Sequence, residues 1–169
     1  PQKDFEQISS SDAISDLHSK PKDEALSKFR SNPKNDYQKR LRGNVTHAYN
    51  HQVTNHTAQT INIISQVPDG GNIKSLPKKY WNVRKFNKAF QRMNSKEPSL
   101  TIDTGHRNYF HYKENRIPTV RECARLQSFP DSFKFQGNKS EQYRQVGNAV
   151  PPILSFKIAK EIKKVLKNT

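Results

Sequence analysis

The chain has 169 residues, a length that suits one ordinary domain or two small ones and excludes a large multidomain enzyme. Hydrophobic residues make up only 31% of the sequence, so a large self-sufficient core is not expected. The formal net charge is +15 at pH 7, which makes a polyanion the first partner to consider, ahead of acidic proteins and anionic membranes.

The N-terminal third is expected to form short elements. Residues 11–17 begin with Ser and Asp and continue with apolar residues at helical spacing, the pattern of a capped helix with one apolar face. In residues 36–43, DYQKRLRG, the side chains alternate in character. This alternation predicts an extended segment in which Gln38, Arg40 and Arg42 share one face.

The middle of the chain contains three weaker signals. In residues 55–67, NHTAQTINIISQV, apolar residues lie three apart, which predicts a helix that the Pro-Asp-Gly-Gly turn of residues 68–71 ends. Residues 76–93 mix aromatic and basic side chains without periodicity and are predicted to be a loop with short elements. Residues 99–104, SLTIDT, are partly β-branched and lie between Pro and Gly, which predicts a short strand.

The C-terminal region has clearer local signals. Thr119 and Glu122 form a capping box, which predicts a helix that the Phe-Pro-Asp of residues 129–131 ends. Arg121 and Arg125 lie four apart on this helix, and internal hydrogen bonds are favoured for them over DNA contacts. After two prolines, apolar residues at helical spacing with lysines largely on the other side predict a long amphipathic helix.

Cysteine, histidine and hydropathy patterns bear on compartment and metal binding. One Cys excludes an internal disulfide and a cysteine-only zinc site and fits a reducing compartment. His47 and His51 have the spacing of a metal pair, but no third ligand is evident nearby, so no metal site is predicted. The sequence has neither an apolar run long enough to span a bilayer nor the apolar core of a signal peptide at its start. We therefore expect a cytoplasmic protein without a membrane partner.

Two stretches are much more specific than composition. IPTVRECARLQSFPDSF (residues 117–133) and YRQVGNAVPP (residues 143–152) resemble, in order and separation, the last two motifs of the DNA cytosine-5 methyltransferases. PSLTIDTG (residues 98–105) is similar to the end of that family's target recognition domain. QKRLR (residues 38–42) resembles its Gln-x-Arg-x-Arg motif. The resemblance extends over most of the chain and implies the C-terminal part of a bacterial-type enzyme.

The resemblance implies an α+β fold with three parts. Residues 1–43 would be the last piece of the catalytic domain, and residues 44–118 a small target recognition domain of short strands and loops. Residues 119–169 would contain the helix that organises this domain and a terminal motif that returns to the catalytic domain. The C-terminal amphipathic helix would then pack on a Rossmann-like methyltransferase domain that is largely missing from the chain.

The family's chemistry requires residues that this sequence lacks. Its members add the Cys thiolate of a Pro-Cys dipeptide to C6 of cytosine while the Glu of a Glu-Asn-Val string hydrogen-bonds N3. C5 then attacks the methyl group of S-adenosylmethionine. Neither string occurs here, nor does a Gly-rich cofactor loop. The matching family motif has a packing residue at the position of Cys123, so the resemblance implies that role. Its acidic neighbour points about 100° away on the helix, so the two side chains cannot easily act on one base together.

The resemblance also assigns candidate site residues. Arg42 would reach the flipped cytosine and Arg40 would support it; the alternative is a solvated basic strand end. Asn148, Val150 and Phe129 would line the S-adenosylmethionine pocket, the alternatives being a simple turn at Gly147-Asn148 and a core role for the aromatic ring. The predicted DNA contacts are Thr101, Arg92, Arg107, Gly70, Gly71 and Arg84. For each arginine in this list, the alternative to reading a base is that the side chain is solvated or faces a phosphate.

Together these assignments predict a chain that recognises a specific duplex DNA sequence for methyl transfer to C5 of cytosine in a restriction-modification system, near the bacterial nucleoid. Its expected partners are double-stranded DNA and the catalytic half of the enzyme, in the same polypeptide or as a separate subunit, and the chain alone is expected to be inactive. Two alternatives stay open: a stand-alone basic nucleic-acid-binding module, and a degenerate relative that regulates an active enzyme.

Overall fold

Short elements joined by irregular segments make up the protein, for which the computed structural model describes residues 7–21, 26–81, 91–104 and 109–167. The helices are α1 (Ser10–Ile14), α2 (Asp36–Arg42), α3 (Ala58–Gln66), α4 (Val120–Leu126), α5 (Lys139–Asn148) and α6 (Pro152–Lys167). The strands are β1 (Leu26–Lys28), β2 (His47–Tyr49), β3 (Gln91–Arg92) and β4 (Tyr109–Phe110). β1 pairs with β2 in antiparallel and β3 with β4 in parallel orientation. This mixture is compatible with the predicted α+β class.

Side-chain caps determine where several helices begin. The Thr119 side chain accepts a hydrogen bond from the backbone of Glu122, whose carboxylate accepts one in return, so the predicted capping box of α4 is confirmed. Asn138 and Glu141 form the same arrangement at α5. These contacts satisfy N–H groups that have no partner inside a helix. The predicted helices that became α3 and α6 are also confirmed.

Residues 36–42 form a helix, so the predicted extended segment is wrong. The Asn35 side chain accepts a hydrogen bond from the backbone N–H of Gln38 and starts the helix. Because residues four apart share a helix face, Gln38 and Arg42 are both buried whereas Arg40 is exposed. The predicted common face of Arg40 and Arg42 is therefore wrong as well. A local polar cap outweighs the two-residue alternation here.

Residues 99–104 contain no strand, so that prediction is also wrong. The β-branched Ile102 is nevertheless buried, in a cluster with the apolar side chains of α4 and α5. Packing, rather than pairing with another strand, holds this segment in place. The Gly147-Asn148 pair closes α5 instead of forming a turn before a helix.

The described core is divided into three apolar clusters. One lies between α3 and residues 73–76, a second joins α4 and α5 to Met93 and Ile102, and a third packs α1 against Ala48. Such division fits the low apolar content, because no single cluster has enough side chains to dominate.

A buried ion-pair network links these clusters through α4. Arg125 donates to the carboxylates of Asp16, which follows α1, and of Asp131, which follows α4. Arg121 donates to backbone carbonyl groups, including that of Tyr49 in β2. The predicted internal role of Arg121 and Arg125 is confirmed. α4 thereby connects segments that are far apart in sequence.

Candidate functional site

Arg42, the predicted cytosine contact, is held inside the protein. Its Nη2 donates to the Asp16 carboxylate and to the backbone oxygen of Ser31 at 2.8 Å. The guanidinium carbon also lies 3.8 Å from the centre of the Phe29 ring. The side chain therefore has a structural role in this conformation, because its charge is already paired. This geometry gives no support to a contact with the flipped base.

Arg40 is exposed on the opposite side of α2. It borders an open groove of about 500 Å³ that also contains Asp36, Tyr37 and Ile153, the second residue of α6. The groove thus lies where the N-terminal helices meet the start of α6. Arg40 is accessible to a partner there, and its supporting role at the site of the flipped cytosine stays a prediction.

Arg92, a predicted DNA contact, is only 5% exposed. Its Nε donates to the carbonyl of Val67 at 2.8 Å, and its Nη2 to that of Ile64 at 2.6 Å. Nη1 donates to the carbonyls of His111 and Glu114, and Nη2 also to Asn115 Oδ1. Five acceptors match the five N–H donors of a guanidinium. Arg92 therefore joins the end of α3 to residues 111–115, and this geometry gives no support to its predicted contact with DNA.

The backbone geometry of the Gly70-Gly71 turn itself requires glycine at both positions. Gly70 has a φ of +70°, a conformation that other residues rarely adopt. A Cβ on Gly71 would lie 2.6 Å from Cγ of Pro68. The turn is fixed to the following segment because the Arg92 N–H donates to the Gly71 carbonyl. Gly70 is exposed, so its proposed approach to DNA stays a prediction.

Thr101 is exposed on an anchored segment. The Tyr109 hydroxyl donates to the Thr101 carbonyl, and the next residue, Ile102, is buried. Burial, with a further contribution from Asp103, raises the pKa of Tyr109 to about 12. Tyr109 is therefore a neutral donor near pH 7. The Thr101 side chain is thus presented to solvent from a backbone that is held at its own carbonyl and at the next residue, and its phosphate contact stays a prediction.

Two predicted DNA contacts, Arg84 and Arg107, lie outside the described residues. Both stay predictions. Within the described residues, exposed lysines lie at the 3-10 turns of residues 73–75 and 78–80, and the partly exposed ring of Trp81 follows them. This part of the surface has the mixture of cations and aromatic rings that nucleic acids bind.

The predicted cofactor residues fall into two groups. Asn148 and Val150 are exposed, and Asn148 borders an open pocket of about 620 Å³ together with Gln136 and Arg144. Phe129 is only 7% exposed, and its ring centre lies 5.2 Å from that of Phe135. Phe129 therefore packs in the core, the alternative that the sequence left open, and its place in the pocket stays a prediction. An amide and an exposed apolar side chain do fit the edge of a nucleoside pocket.

Cys123 is buried, and burial raises the pKa of its thiol. A protonated, enclosed thiol is a poor nucleophile, so the expected packing role is supported. Burial would also raise the pKa of the adjacent Glu122, but Arg116 and His111 outweigh this effect and lower it. Arg116 donates to both carboxylate oxygens of Glu122, at 2.7 and 2.8 Å. Sequence reasoning missed this buried pair, although the capping box had already located the carboxylate at the helix start.

α6 is the most exposed element. Its five large apolar side chains on one face are 49 to 71% exposed, and none of its residues is buried against the rest of the described chain. They are Leu154, Ile158, Ile162, Val165 and Leu166. The lysines occupy the other side of the helix. The helix is attached at its start, where the Ile153 N–H donates to the Ser128 hydroxyl oxygen at 3.1 Å.

Among the described helices, none combines the length and the apolar character needed to cross a membrane. In the same parts of the chain, no three His, Cys, Asp or Glu side chains gather as a metal site would require.

The motifs carried by α4 and α5 define a class of enzyme, and comparison with known families agrees. The profile of the C-5 cytosine-specific DNA methylases matches residues 1–164, and the chain belongs to this family. The resemblance in the sequence is thereby confirmed at the level of the family. The members of this family are DNA cytosine-5 methyltransferases, enzymes that use S-adenosylmethionine and act on DNA.

Individual relatives differ in how much of them the chain covers. The type II methyltransferase M1.HphI of Haemophilus parahaemolyticus is 41% identical over 119 residues, which are 70% of this chain and 32% of that protein. M.NgoFVII of Neisseria gonorrhoeae is 39% identical over 118 residues, again 32% of that protein. M.AquIB of Picosynechococcus sp. is 34% identical over 129 residues, which are 69% of this chain and 88% of that protein. The chain thus spans about a third of the first two and most of the third.

One solved structure shows the same fold. It is an E. coli prophage-encoded protein described as a DNA modification methyltransferase, with a TM-score of 0.72 and 21% sequence identity. The match covers 98% of this chain and 49% of that one. The arrangement of helices and small sheets described above therefore occurs as about half of a larger protein.

Proposed function

We propose that this chain is the target-recognition and C-terminal part of a DNA cytosine-5 methyltransferase. It binds a specific duplex DNA sequence and completes, with a catalytic domain outside the chain, an enzyme that methylates C5 of cytosine. The observation that carries the proposal is the exposed apolar face of α6. The division into residues 1–43, 44–118 and 119–169 is part of the same proposal.

The apolar face of α6 needs a partner. Monomeric proteins rarely expose a contiguous apolar patch of this kind without using it as an interface. Family members such as M1.HphI extend well beyond the region that this chain matches, so most of such an enzyme lies outside it. The catalytic domain is therefore the occupant that the comparison favours. Docking would cover the face, while the lysines on the other side would stay in water.

The cofactor side lies next to the same surface. Asn148 ends α5, and Val150 lies in the short link to α6, with both side chains exposed. A domain docked on α6 would approach them, so a shared pocket for S-adenosylmethionine is expected at this junction. The cofactor supplies the methyl group, the Asn148 amide binds its polar edge and Val150 excludes water. The thiolate and carboxylate that act on cytosine would come from the docked domain.

The DNA side is proposed to use Thr101, the Gly70 turn and the lysines near Trp81. The net charge of +15 supports a polyanionic ligand, and charge of this kind binds phosphates without reading sequence. Sequence preference would come from Arg84 and Arg107, which lie outside the described residues. The type II names of the relatives favour a restriction-modification system, and hence action on chromosomal DNA in the bacterial cytoplasm.

Both arrangements of the enzyme have support among the relatives. M1.HphI and M.NgoFVII contain the matching region as about a third of one polypeptide. M.AquIB is itself about the size of this chain, which supports a separate subunit. In either arrangement, the same surface of α6 joins the recognition part to the catalytic part.

The experiment replaces Ile158 and Ile162 with Ser and measures methyl transfer from radiolabelled S-adenosylmethionine to duplex DNA after mixing with the catalytic part. Losing two buried Ile side chains from the interface weakens association by roughly a hundredfold or more, so methyl transfer should fall to background. The folded structure and DNA binding should persist, because both side chains are already about half exposed.

The matched control replaces Lys160 and Lys164, which lie on the opposite side of α6, with Ser. This variant should complement the catalytic part like the wild type. If the variant with Ser at positions 158 and 162 restored as much methyl transfer as the wild type, docking through α6 would be refuted. A wild-type chain that binds DNA without sequence preference and never restores methyl transfer would indicate the stand-alone binding module instead.

A further inference from the structure

We propose that Gly147 is a positioning residue that sets the distance between residues 101–104 and the end of α5. In this way the DNA-side Thr101 and the cofactor-side Asn148 are held in one arrangement. The inference rests on the proposed function of these two residues and deepens it, because it adds a physical link between the two ligand sites.

The link is a direct backbone contact. A Cβ built on Gly147 would lie 2.6 Å from the carbonyl carbon of Asp103, and 2.7 Å both from its oxygen and from the nitrogen of Thr104. All three are backbone atoms, which cannot rotate away as the tip of a side chain can. Any residue other than glycine at this position must therefore displace residues 101–104 or the end of α5.

Backbone conformation does not explain this glycine. Gly43, Gly70 and Gly137 have positive φ angles, but Gly147 is an ordinary helical residue. Within a helix, alanine is normally more stable than glycine. The close approach of the Asp103 backbone is thus the feature of the structure that requires glycine here.

Both sides of the contact are anchored in the same core. Ile102 and Val146, which flank the contact on its two segments, are buried in one apolar cluster with Tyr143. The Tyr109 hydroxyl holds the carbonyl of Thr101. The two segments therefore move together, and a shift at Gly147 is transmitted in one direction to Thr101 and in the other to Asn148.

The test compares Gly147→Ala with Ser140→Ala, a control on the exposed first turn of α5. Duplex DNA binding is measured on the full chain by fluorescence anisotropy, at a temperature where both variants are folded. Gly147→Ala should bind roughly tenfold more weakly, the effect of losing one hydrogen bond to a charged group. Ser140→Ala should bind like the wild type. A gain in helix propensity alone would predict no loss for Gly147→Ala.

A double-mutant cycle with Thr101→Ala separates positioning from general weakening. If Gly147 acts through Thr101, the loss caused by Gly147→Ala should be small in the Thr101→Ala background. Additive losses, or equal affinities of Gly147→Ala and Ser140→Ala, would overturn the positioning role. Should Gly147→Ala fail to fold, Ile102→Val loosens the same segment from the core side and should show the same non-additivity with Thr101→Ala.

Hydrogen exchange distinguishes failure of this inference from failure of the proposed function. The backbone amides of residues 101–104 should exchange faster in Gly147→Ala than in Ser140→Ala. Unchanged exchange would refute the positioning contact even if the wild type binds DNA. Faster exchange in a chain that does not bind duplex DNA would support the contact and refute the DNA-binding role.

Discussion

Replacing Arg125 with Met should reduce the free energy of unfolding by about 3–5 kcal/mol, because removal of one partner leaves buried charges uncompensated. Arg125 is 0% exposed, and its Nε and Nη2 donate to Asp131 at 2.7 and 2.5 Å. Its Nη1 donates to Asp16 at 3.1 Å. The variant keeps the volume of the side chain but leaves two buried carboxylates with fewer partners.

Urea unfolding followed by circular dichroism measures this change, with Arg144→Met on the exposed face of α5 as the control. Arg144 is exposed, so its replacement should alter the free energy of unfolding by less than about 0.5 kcal/mol. Adding Asp131→Asn to Arg125→Met should recover part of the loss, because one uncompensated charge is then removed. Equal stability of Arg125→Met and the control would show that the network contributes nothing.

Replacing Arg92 with Lys should destabilise the chain by about 2–4 kcal/mol, because lysine has three donors for five acceptors and cannot form the same planar fork. At least two of the five acceptors would lose their hydrogen bond to the guanidinium, each at about 1.5–3 kcal/mol for a bond to a charged group. The acceptors lie at the end of α3 and in residues 111–115, so the two segments should separate. Thermal unfolding measures the loss.

The salt dependence of DNA binding tests whether Arg92 contacts DNA, as the sequence predicted. Removing one phosphate contact reduces the magnitude of the slope of log affinity against log salt concentration by about one unit. Because Arg92 is buried, Arg92→Lys and Arg92→Met should leave this slope unchanged in the folded state. Lys96→Ala, which removes an exposed cation four residues later, serves as the comparison. A smaller slope for Arg92→Met but not for Arg92→Lys would show that Arg92 contacts DNA after all.

Local signals in the sequence predicted the ends of elements well. The capping box of Thr119 and Glu122, the proline that opens α6 and the turn after α3 all depend on hydrogen bonds or steric limits within a few residues. The motifs around α4 and α5 likewise identified the family. The two wrong assignments, residues 36–42 and 99–104, are short segments whose patterns fit more than one structure. For them, a polar cap and packing against α5 decided the conformation.

The roles of the arginines could not be predicted in the same way. Arg42 and Arg92 are basic residues in a basic chain, and both were predicted to act at the DNA. Their acceptors come from other parts of the sequence: Arg42 pairs with Asp16, 26 residues away, and Arg92 with the carbonyl of Ile64, 28 residues away. The internal role of Arg125 was predicted, but its partner Asp16, 109 residues away, was not. A guanidinium becomes structural only when folding brings such acceptors together and removes water from them.

The amino-acid sequence by itself determined the family, the amphipathic character of α6 and the capping box of α4, because each depends on residue types at short, regular spacing. Only the tertiary structure decided which cations are buried, why position 147 requires glycine and that α6 packs against no other part of the described chain. These properties depend on distances between segments that are remote in the chain, and such distances exist only once the segments have packed.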